Sequence, residues 1–433
     1  MTQMRKVSIN DSAAYVGQQV IIEGWVTHHR SSGKIHFIVV RDGTGVLQCV
    51  VKNPDAILEG VEQWSELNQE TAVEVMGVLH ADNRAPIGVE LEVESVRVIG
   101  LSENYPIAPK EHGVDFLLDH RHLWIRSPRQ TAILRIRAAI VHAIREFLDD
   151  HGFIAADPPV ITPAAAEGST TLFSIDYFDE HAYLSQSGQL YLEALAMALG
   201  RVYSFGPTFR AEKSKTRRHL MEFWMVEPEM AFCDFEENLA WQEQLVGYVV
   251  QYVLETRKQE LRTIERDTAR LEPVKPPFPR ITYDQALERL RGAGFDLEWG
   301  EDLGAPHETA LAEMFDRPVF VTHYPTALKA FYMQPDSNNP LVALAADLLA
   351  PEGYGEIIGG SQRIHDPDLL QERMRRNHLD SDVYGWYIDL RRYGSVPHSG
   401  FGMGLERVVA WICGLDHVRE TIPFPRTLNR VWP

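Results

Sequence analysis

The first hundred residues alternate short apolar segments with turn signals, and this pattern constrains the fold more than any other feature. Segments such as VIIEGWV, IHFIVVRDGTG and VLQCVV have the composition of β-strands that end at glycine- or aspartate-containing turns. About five such strands can close into a small barrel, and an oligonucleotide-binding barrel is one candidate among several barrel types. The pattern therefore predicts a β-barrel domain over residues 1–101.

The remainder of the chain has a different periodicity. With 433 residues the chain is longer than a single core usually organises. The strand pattern lapses over residues 102–126, a stretch with two prolines and a glycine, and this segment is predicted to be a linker or hinge. The second domain, residues 127–433, opens with apolar residues at helical spacing: Ile133, Ile136, Ile140, Ile144 and Phe147.

Five further segments of the second domain carry local predictions. RVYSFGPTFRAE and HLMEFWMVEPEMAF read as two strands of an antiparallel hairpin, joined by the charged loop KSKTRR. A long helix is predicted over residues 235–265. Near the end of the chain, IDLRRYG reads as a strand and GFGMGLERVVAWICG as a helix after a glycine-rich approach.

Charge and cysteine usage limit the partners and the compartment. The chain has 61 acidic and 42 basic residues and a net charge of −19, which opposes indiscriminate binding to nucleic acid, so an RNA partner must meet local basic patches. Neither a long apolar run nor an apolar segment after the first basic residues is visible, so neither a membrane span nor a signal peptide is predicted. The three cysteines form no CxxC pair, which favours the cytosol.

The predicted hairpin concentrates groups that suit a phosphate-bearing ligand. Side chains two apart on a strand share a face, so Arg210 and Glu212 point together. On the return strand the same rule groups one aromatic ring, one methionine and two acids: Phe223, Met225, Glu227 and Glu229. The same residues could also occur in a solvent-exposed hairpin that is stabilised by cross-strand ion pairs.

Two further segments support the ligand interpretation. Three alternate glycines precede Glu406 and Arg407, where a ligand could approach the backbone and a guanidinium could hold a phosphate. The string lacks the dinucleotide fingerprint and the P-loop lysine. In DLLAPEGYGEIIGGSQR, Asp347 and Glu356 precede Arg363, and such carboxylates beside phosphate-binding arginines suit Mg²⁺.

Taken together, these segments resemble the signature motifs of the class II aminoacyl-tRNA synthetases, in the order that family uses. GFIAADPPVITP, with Pro159, resembles the first motif; FRAEKSKTRRHLMEFWMVEPE resembles the second and GFGMGLER the third. The amino-terminal barrel resembles the anticodon-binding barrel of the aspartate, asparagine and lysine subgroup. The resemblance implies an α+β chain: an OB-fold barrel, then a catalytic domain with an antiparallel sheet flanked by helices. It also implies a homodimer, because the first motif forms the family's dimer interface.

One segment implies the amino acid. SQSGQLYLEALAMALGRVYSFGPTFRAE is similar to the asparagine-specific members, whereas aspartate-specific members carry SPQLxK, and Leu192 stands at the place of that lysine. Glu227 would then face the substrate side chain without the lysine's charge. A carboxylate accepts a hydrogen bond from an amide NH₂ and repels another carboxylate, so asparagine is favoured.

The resemblance also implies roles in binding ATP. Arg210 would hold the α-phosphate, Glu212 the adenine side and Phe223 the face of the ring. Arg218 or His219, with Arg407, would hold the γ-phosphate. Asp347 and Glu356 would bind Mg²⁺, and Arg210 and Arg407 would carry the catalytic charge stabilisation.

For the amino acid, the implied residues lie on several segments. Glu167 would take the α-ammonium, with Ser187 and Gln189 helping to seat it, and Arg363 would meet the side-chain carbonyl oxygen. His398 lies where the family places a substrate-side histidine, although on its own it would read as a structural residue.

In the barrel, the resemblance implies that Phe37 stacks on the middle anticodon base of tRNA(Asn) and that Gln48 hydrogen-bonds it. Arg30, with Lys34 and Arg41, would meet the backbone. An aromatic face beside an amide suits an unstacked RNA base. The competing interpretation places Phe37 in the barrel core.

The expected activity is therefore the ATP-dependent activation of L-asparagine and its transfer to the 3′ end of tRNA(Asn). Two alternatives stay open. The first is an aspartate-specific synthetase of relaxed tRNA specificity, which Leu192 and Glu227 disfavour. The second is a non-catalytic tRNA-binding paralogue that kept the fold, since fold alone does not establish activity.

Overall fold

The protein is described by a computed structural model that covers residues 5–53, 56–85, 87–164, 166, 171–379 and 381–433. The chain forms two compact units, Met1–Gly113 and Val114–Pro433. The boundary falls inside the segment predicted to be a linker.

The first unit is a closed barrel of five strands with two short additions. The order around the barrel is β2, β3, β4, β7, β6 and back to β2, and all neighbours are antiparallel except β4 and β7. The predicted OB-type barrel is thereby confirmed. Its strands are β1 (Arg5–Lys6), β2 (Gln19–Ser32), β3 (Ile35–Arg41), β4 (Val46–Val51), β5 (Ile57–Glu59), β6 (Ala72–Ala81) and β7 (Val89–Gly100).

Alternation along the strands fills the barrel. On β3, Ile38 and Val40 are fully buried in the core, whereas Phe37 points to the opposite face and is only partly buried. Phe37 is therefore not a core residue of the barrel, and the competing interpretation of this phenylalanine is wrong.

The second unit is built on a mixed sheet with helices packed against it. The sheet order is β14-β15-β16-β17-β18-β13-β12-β8, antiparallel throughout except for the edge pairs β14–β15 and β12–β8. A separate small sheet has the order β10-β11-β9. The strands are β8 (Ile154–Ala155), β9 (Ile161–Thr162), β10 (Ser174–Tyr177), β11 (Glu180–Leu184), β12 (Arg201–Phe209), β13 (Glu222–Ala231), β14 (Arg280–Thr282), β15 (Val319–Thr322), β16 (Ala345–Ala350), β17 (Gly355–Gln362) and β18 (His398–Gly404).

The helices of this unit include the two longest elements of the core, α3 and α5, which pack on each other. They are α1 (Val114–Asp119), α2 (Arg121–Trp124), α3 (Pro128–Asp150), α4 (Gln189–Leu199), α5 (Phe235–Thr256), α6 (Lys258–Thr263), α7 (Tyr283–Gly292), α8 (Ala305–Ala312), α9 (Pro367–Arg376), α10 (Ser381–Arg392) and α11 (Leu405–Cys413). None of the helices in the described ranges is both long and apolar enough to cross a membrane.

The helix predicted at the start of the second domain is confirmed in detail. Ser127 caps α3 by accepting a hydrogen bond from the backbone N–H of Gln130 at 3.4 Å, and a proline occupies the first turn. The five predicted apolar positions are all buried. Gly152, just after the helix, has φ of 77°, a value that favours glycine.

Three local predictions differ from the structure. Residues 114–126 form α1 and α2 rather than a linker, because buried Arg121 donates to the carbonyl oxygens of Ile422 and Pro423 at 2.9 and 2.8 Å. The predicted long helix is interrupted at Arg257, between α5 and α6. IDLRRYG lies mainly in α10, whose residues Tyr384, Tyr387 and Ile388 pack into the core at helical spacing.

Candidate active site

The floor of the site is a row of glycines on the central strands of the second unit. Gly402 of β18 pairs with Gly359 of β17. A Cβ atom at Gly359 would lie 3.0 Å from Oε1 of Glu356 and 3.6 Å from Oδ1 of Asp347, and one at Gly402 would lie 2.4 Å from the Met225 methyl carbon. The missing side chains leave room for acidic side chains to approach one another across the sheet.

Glu227 lies on β13 beside the start of α4. Its carboxylate accepts hydrogen bonds from the backbone N–H of Gly188 at 3.0 Å, from the hydroxyl of Ser204 at 3.2 Å, and from the hydroxyl of Ser187. The structure thus brings together Ser187 and Glu227, two of the residues predicted to bind the amino acid. The carboxylate is almost completely buried and is held in one orientation by these donors.

Arg363 and Glu229 form a buried ion pair next to Glu227. The Nε and Nη2 atoms of Arg363 donate to the two carboxylate oxygens of Glu229 at 3.0 and 2.9 Å, and Nη1 donates to the hydroxyl of Ser361 at 2.8 Å. Burial alone would lower the pKa of Arg363, but the Glu229 carboxylate raises it, so the guanidinium stays charged. This pair fixes the plane of the predicted substrate-side arginine.

Gln189 and His398 both contact Glu193, which the sequence interpretation did not single out. Gln189 is the first residue of α4, and its Nε2 donates to Oε1 of Glu193 at 3.1 Å. His398 Nε2 lies 2.9 Å from Oε2 of Glu193, and its Nδ1 lies 2.8 Å from the Val396 carbonyl oxygen. His398 is fully buried, and its two ring nitrogens contact protein groups.

The predicted ATP-binding residues line one open pocket of about 620 Å³. The guanidinium carbon of Arg210 lies 5.5 Å from the centre of the Phe223 ring, and one guanidinium nitrogen lies 4.0 Å from Glu212. His219 Nε2 lies 3.3 Å from the same glutamate. The lining also includes Arg218, Glu356 and Arg407.

Arg218 also lines this pocket, but its guanidinium group donates to three residues that do not line it. Nη1 donates to Oε2 of Glu308 at 3.1 Å, and Nη2 donates to the hydroxyl of Thr309 and the carbonyl oxygen of Gly353, both at 2.5 Å. Burial and the negative charge of Glu356 raise the pKa of Glu308 to about 7. Because His219 contacts Glu212 whereas Arg218 contacts Glu308, His219 lies nearer to the end of the pocket that holds Arg210 and Glu212.

Asp347 and Glu356 converge across Gly359, each beside a cation. Lys329 Nζ donates to both oxygens of Asp347, at 2.8 and 3.1 Å, and Nη1 of Arg407 lies 3.2 Å from Oε2 of Glu356. Burial alone would raise the pKa of Glu356, but the charges of Arg407, Lys329 and Arg210 lower it. Two carboxylates that converge over a glycine offer the oxygen ligands that Mg²⁺ prefers, so these residues fit that ion.

The barrel carries the predicted anticodon residues on its outer face. The guanidinium carbon of Arg30 lies 4.4 Å from the centre of the Phe37 ring, on the neighbouring strand. Gln48 pairs with Val39, two residues further along the same face, and its Nε2 lies 3.4 Å from Glu90. The three residues therefore share one surface of the first unit.

One predicted residue is not described, and three contacting residues were not predicted. Glu167 lies outside the described residues. The sequence interpretation missed Glu193, Glu308 and Lys329, which contact predicted site residues but lie in segments without a distinctive local pattern. Only the Glu193 spacing, four residues after Gln189 on a helix, could have signalled a contact.

The chain matches two family models. One, described as tRNA synthetases class II (D, K and N), matches residues 113–428, and the other, described as an OB-fold nucleic acid binding domain, matches residues 20–99. The match to the first model spans most of the chain and includes the pocket described above. The chain belongs to the class II tRNA synthetases.

Similar proteins and solved structures indicate which member of this class the chain resembles. The chain is 58% identical over 440 residues to the asparagine–tRNA ligase of Chloroflexus aurantiacus, with all of both chains covered. It is 59% identical over 437 residues to that of Symbiobacterium thermophilum, covering 99% of this chain and all of the relative. The crystal structure of asparaginyl-tRNA synthetase from Pyrococcus horikoshii complexed with asparaginyl-adenylate is 46% identical, with a TM-score of 0.95 and full coverage of both chains. Within the class, the chain belongs to the asparagine–tRNA ligase family.

The glycine floor generates a stability prediction. In Gly400→Ala the added Cβ would lie 2.0 Å from Oε2 of Glu229 and 2.5 Å from the Pro228 carbonyl oxygen, so the Arg363–Glu229 pair must separate. Overpacking and a broken buried ion pair should lower the free energy of unfolding by at least about 3 kcal/mol, as measured by urea denaturation.

Gly404→Ala is the matched control for this prediction. Its Cβ would lie 3.9 Å from the nearest atom of Arg407, an ordinary contact, and its effect should stay within about 1 kcal/mol. Equal stabilities of the two variants would contradict the prediction.

Proposed function

We propose that this chain activates L-asparagine with ATP to form asparaginyl-adenylate and transfers the asparaginyl group to the 3′ end of tRNA(Asn). The observation that carries the proposal is the Glu227 carboxylate, which accepts hydrogen bonds from two hydroxyl groups and one backbone N–H. Leu192, at the place where aspartate-specific enzymes carry a lysine, is fully buried in an apolar cluster with Ala196 and Val202 and brings no positive charge. A carboxylate acceptor without that lysine suits an amide NH₂ and disfavours a second carboxylate. The names of the relatives agree with this choice.

The reaction needs orientation and charge stabilisation rather than a protein nucleophile. A carboxylate oxygen of asparagine attacks the α-phosphorus of ATP, the bond to the bridging oxygen breaks, and pyrophosphate leaves with the electron pair. The 3′-hydroxyl of the tRNA then attacks the acyl carbon, and AMP leaves. Arg210 and Arg407 are the catalytic residues of this proposal, because guanidinium groups fixed beside the phosphates stabilise the negative charge of the transition state.

Magnesium is proposed as the metal of this reaction, with Asp347 and Glu356 as its protein ligands. When bound, Mg²⁺ would supply positive charge to phosphate oxygens. Lys329 orients Asp347 through hydrogen bonds to both of its oxygens, and the charge of Arg407 lowers the pKa of Glu356 and so favours its ionised form. Both cations would add positive charge around the phosphates. Glu212 and Phe223 would bind the adenine, and His219 or Arg218 the γ-phosphate.

Residues 1–101 are proposed to bind the anticodon, and residues 127–433 to catalyse the reaction. Phe37 presents a partly exposed ring with Arg30 over it, and the Gln48 amide lies on the same face, so this surface can stack on a base, hydrogen-bond it and meet a phosphate. Arg30 accordingly supplies local positive charge at this face within a strongly acidic chain.

A homodimer and a cytosolic location are further parts of the proposal. Around Pro159, the apolar side chains of Ile154, Val160 and Ile161 are between 39% and 46% exposed, as expected for a surface that a second copy covers. The three cysteines are buried free thiols, which agrees with a reducing compartment.

The first prediction of the proposed function concerns its catalytic arginine, Arg210. Arg210→Ala should lower the rate of asparagine-dependent ATP–pyrophosphate exchange by about 10²- to 10³-fold, because one fixed donor to the reacting phosphate is lost. Lys213→Ala, an exposed lysine of the same loop, is the control and should leave the exchange unchanged. An unaffected Arg210→Ala enzyme would favour the non-catalytic paralogue.

The second prediction concerns the amino acid. The unmodified protein should exchange with asparagine and not with aspartate when the two are assayed in parallel. Glu227→Gln should lower kcat/KM for asparagine by about 10- to 100-fold, since a hydrogen bond to a charged acceptor is worth about 1.5–3 kcal/mol. Glu222→Gln, on the opposite face of β13, is the control. Comparable exchange with aspartate would support the aspartate-specific alternative.

The third prediction concerns the anticodon. Phe37→Ala should weaken binding of tRNA(Asn) by about 5- to 150-fold, because stacking on one base is worth about 1–3 kcal/mol. Exchange without tRNA should not change, since activation precedes transfer. Ile57→Ala, which truncates another exposed apolar side chain of the barrel, is the control. Unaltered tRNA binding by Phe37→Ala would overturn this assignment.

A further inference from the structure

A buried polar cluster joins α4, α10 and β18 and is centred on Glu193. This glutamate of α4 is fully buried. Its Oε1 accepts hydrogen bonds from Gln189 Nε2 at 3.1 Å and from the Tyr387 hydroxyl at 2.7 Å. Its Oε2 accepts from Arg391 Nη2 at 2.5 Å and lies 2.9 Å from His398 Nε2. Both oxygens are therefore fully engaged.

The surroundings keep this carboxylate in its ionised form. Burial alone would raise the pKa of Glu193, but the charge of Arg391 and the hydrogen bond from His398 lower it well below its usual range. An ionised carboxylate has acceptor sites and no donor. Any neighbour that contacts Glu193 must therefore present a hydrogen.

This requirement fixes the amide of Gln189. An amide side chain has a donating NH₂ end and an accepting carbonyl end, and only the NH₂ end can face Glu193. The carbonyl oxygen must then point away from the cluster. Among the described residues, none donates a hydrogen bond to Gln189 Oε1. The backbone N–H of Gln189 is meanwhile anchored at 3.1 Å by the hydroxyl of Ser187, which itself donates to Glu227.

We propose that Glu193 is a positioning residue for amino-acid binding: it holds Gln189 with its carbonyl oxygen toward the pocket, where that oxygen accepts a hydrogen bond from the α-ammonium of asparagine. The inference rests on the proposed function and adds the group that orients one of its ligands. Tyr387 and Arg391, on α10, brace Glu193 from behind.

Two different acceptors would therefore bind the two nitrogen groups of asparagine. Glu227 meets the side-chain amide, and Gln189 Oε1 meets the α-ammonium. If the amide of Gln189 were free to rotate, its NH₂ group would face the ammonium in part of the molecules, and two donors would then oppose each other. A ligand without the α-ammonium would not sense this difference.

Succinamic acid supplies the test, because it is asparagine without its α-amino group. In the full-length protein we measure the KM of asparagine and the inhibition constant of succinamic acid in ATP–pyrophosphate exchange. Glu193→Gln should raise the KM of asparagine by about 10- to 100-fold, the range for one hydrogen bond to a charged group. The inhibition constant of succinamic acid should change by less than about threefold. Equal weakening of both ligands would mean a merely structural role and would overturn the proposal.

Two further variants keep the test decisive if Glu193→Gln does not fold. Gln189→Met removes the carbonyl oxygen without adding charge and should also weaken asparagine selectively over succinamic acid; an unchanged ratio would overturn the proposal. Tyr248→Phe is the control, because it removes a tyrosine hydroxyl that donates to Glu146, outside the Glu193 cluster, and both constants should stay at their original values. If the unmodified protein fails to use asparagine at all, the proposed function fails instead.

Discussion

The ion pair between Arg363 and Glu229 is the interaction on which the architecture of the site depends. Both side chains are almost completely buried, and they meet with two parallel hydrogen bonds at 3.0 and 2.9 Å. Burying two charges is costly, and removing one partner of such a pair typically destabilises a protein by about 3–5 kcal/mol. The pair can form because Gly400 of β18 lies between Glu229 of β13 and the end of β17, which Arg363 follows directly, and any side chain at Gly400 would occupy the position of the glutamate.

From this pair the site divides into two halves of opposite character. On one side lie the groups proposed to bind the amino acid: the Glu227 carboxylate accepts from Ser187, Ser204 and the backbone of Gly188, and the Gln189 amide donates to Glu193. On the other side, Arg210 and Arg407 line the pocket that is proposed to bind the nucleotide. The glycines of β17 and β18 separate the halves without filling the space between them. Each half is therefore fixed before a ligand arrives, which reduces the reorganisation that the reaction requires.

The sequence predicted those parts of the molecule whose signal is local. The alternation of Phe223, Met225, Glu227 and Glu229 correctly placed four side chains on one face of β13, and the spacing of Ile133 to Phe147 gave α3 and its buried face. Contacts between distant segments were not predictable in this way. Glu193 and Arg391 are 198 residues apart, and Lys329 reaches Asp347 from a segment without regular periodicity. IDLRRYG was misread because its apolar residues fit a strand when taken alone, whereas Tyr384 and Tyr387 extend the pattern to helical spacing.

The central claim is that the amide of asparagine is read by the Glu227 carboxylate, with Arg363 on the opposite side of the same group. A crystal structure with a non-hydrolysable asparaginyl-adenylate analogue tests this most directly. The account predicts that the ligand's amide nitrogen lies about 2.7–3.2 Å from a carboxylate oxygen of Glu227 and that its carbonyl oxygen accepts from Arg363. An amide turned the other way, or lying out of hydrogen-bonding reach of Glu227, would contradict it.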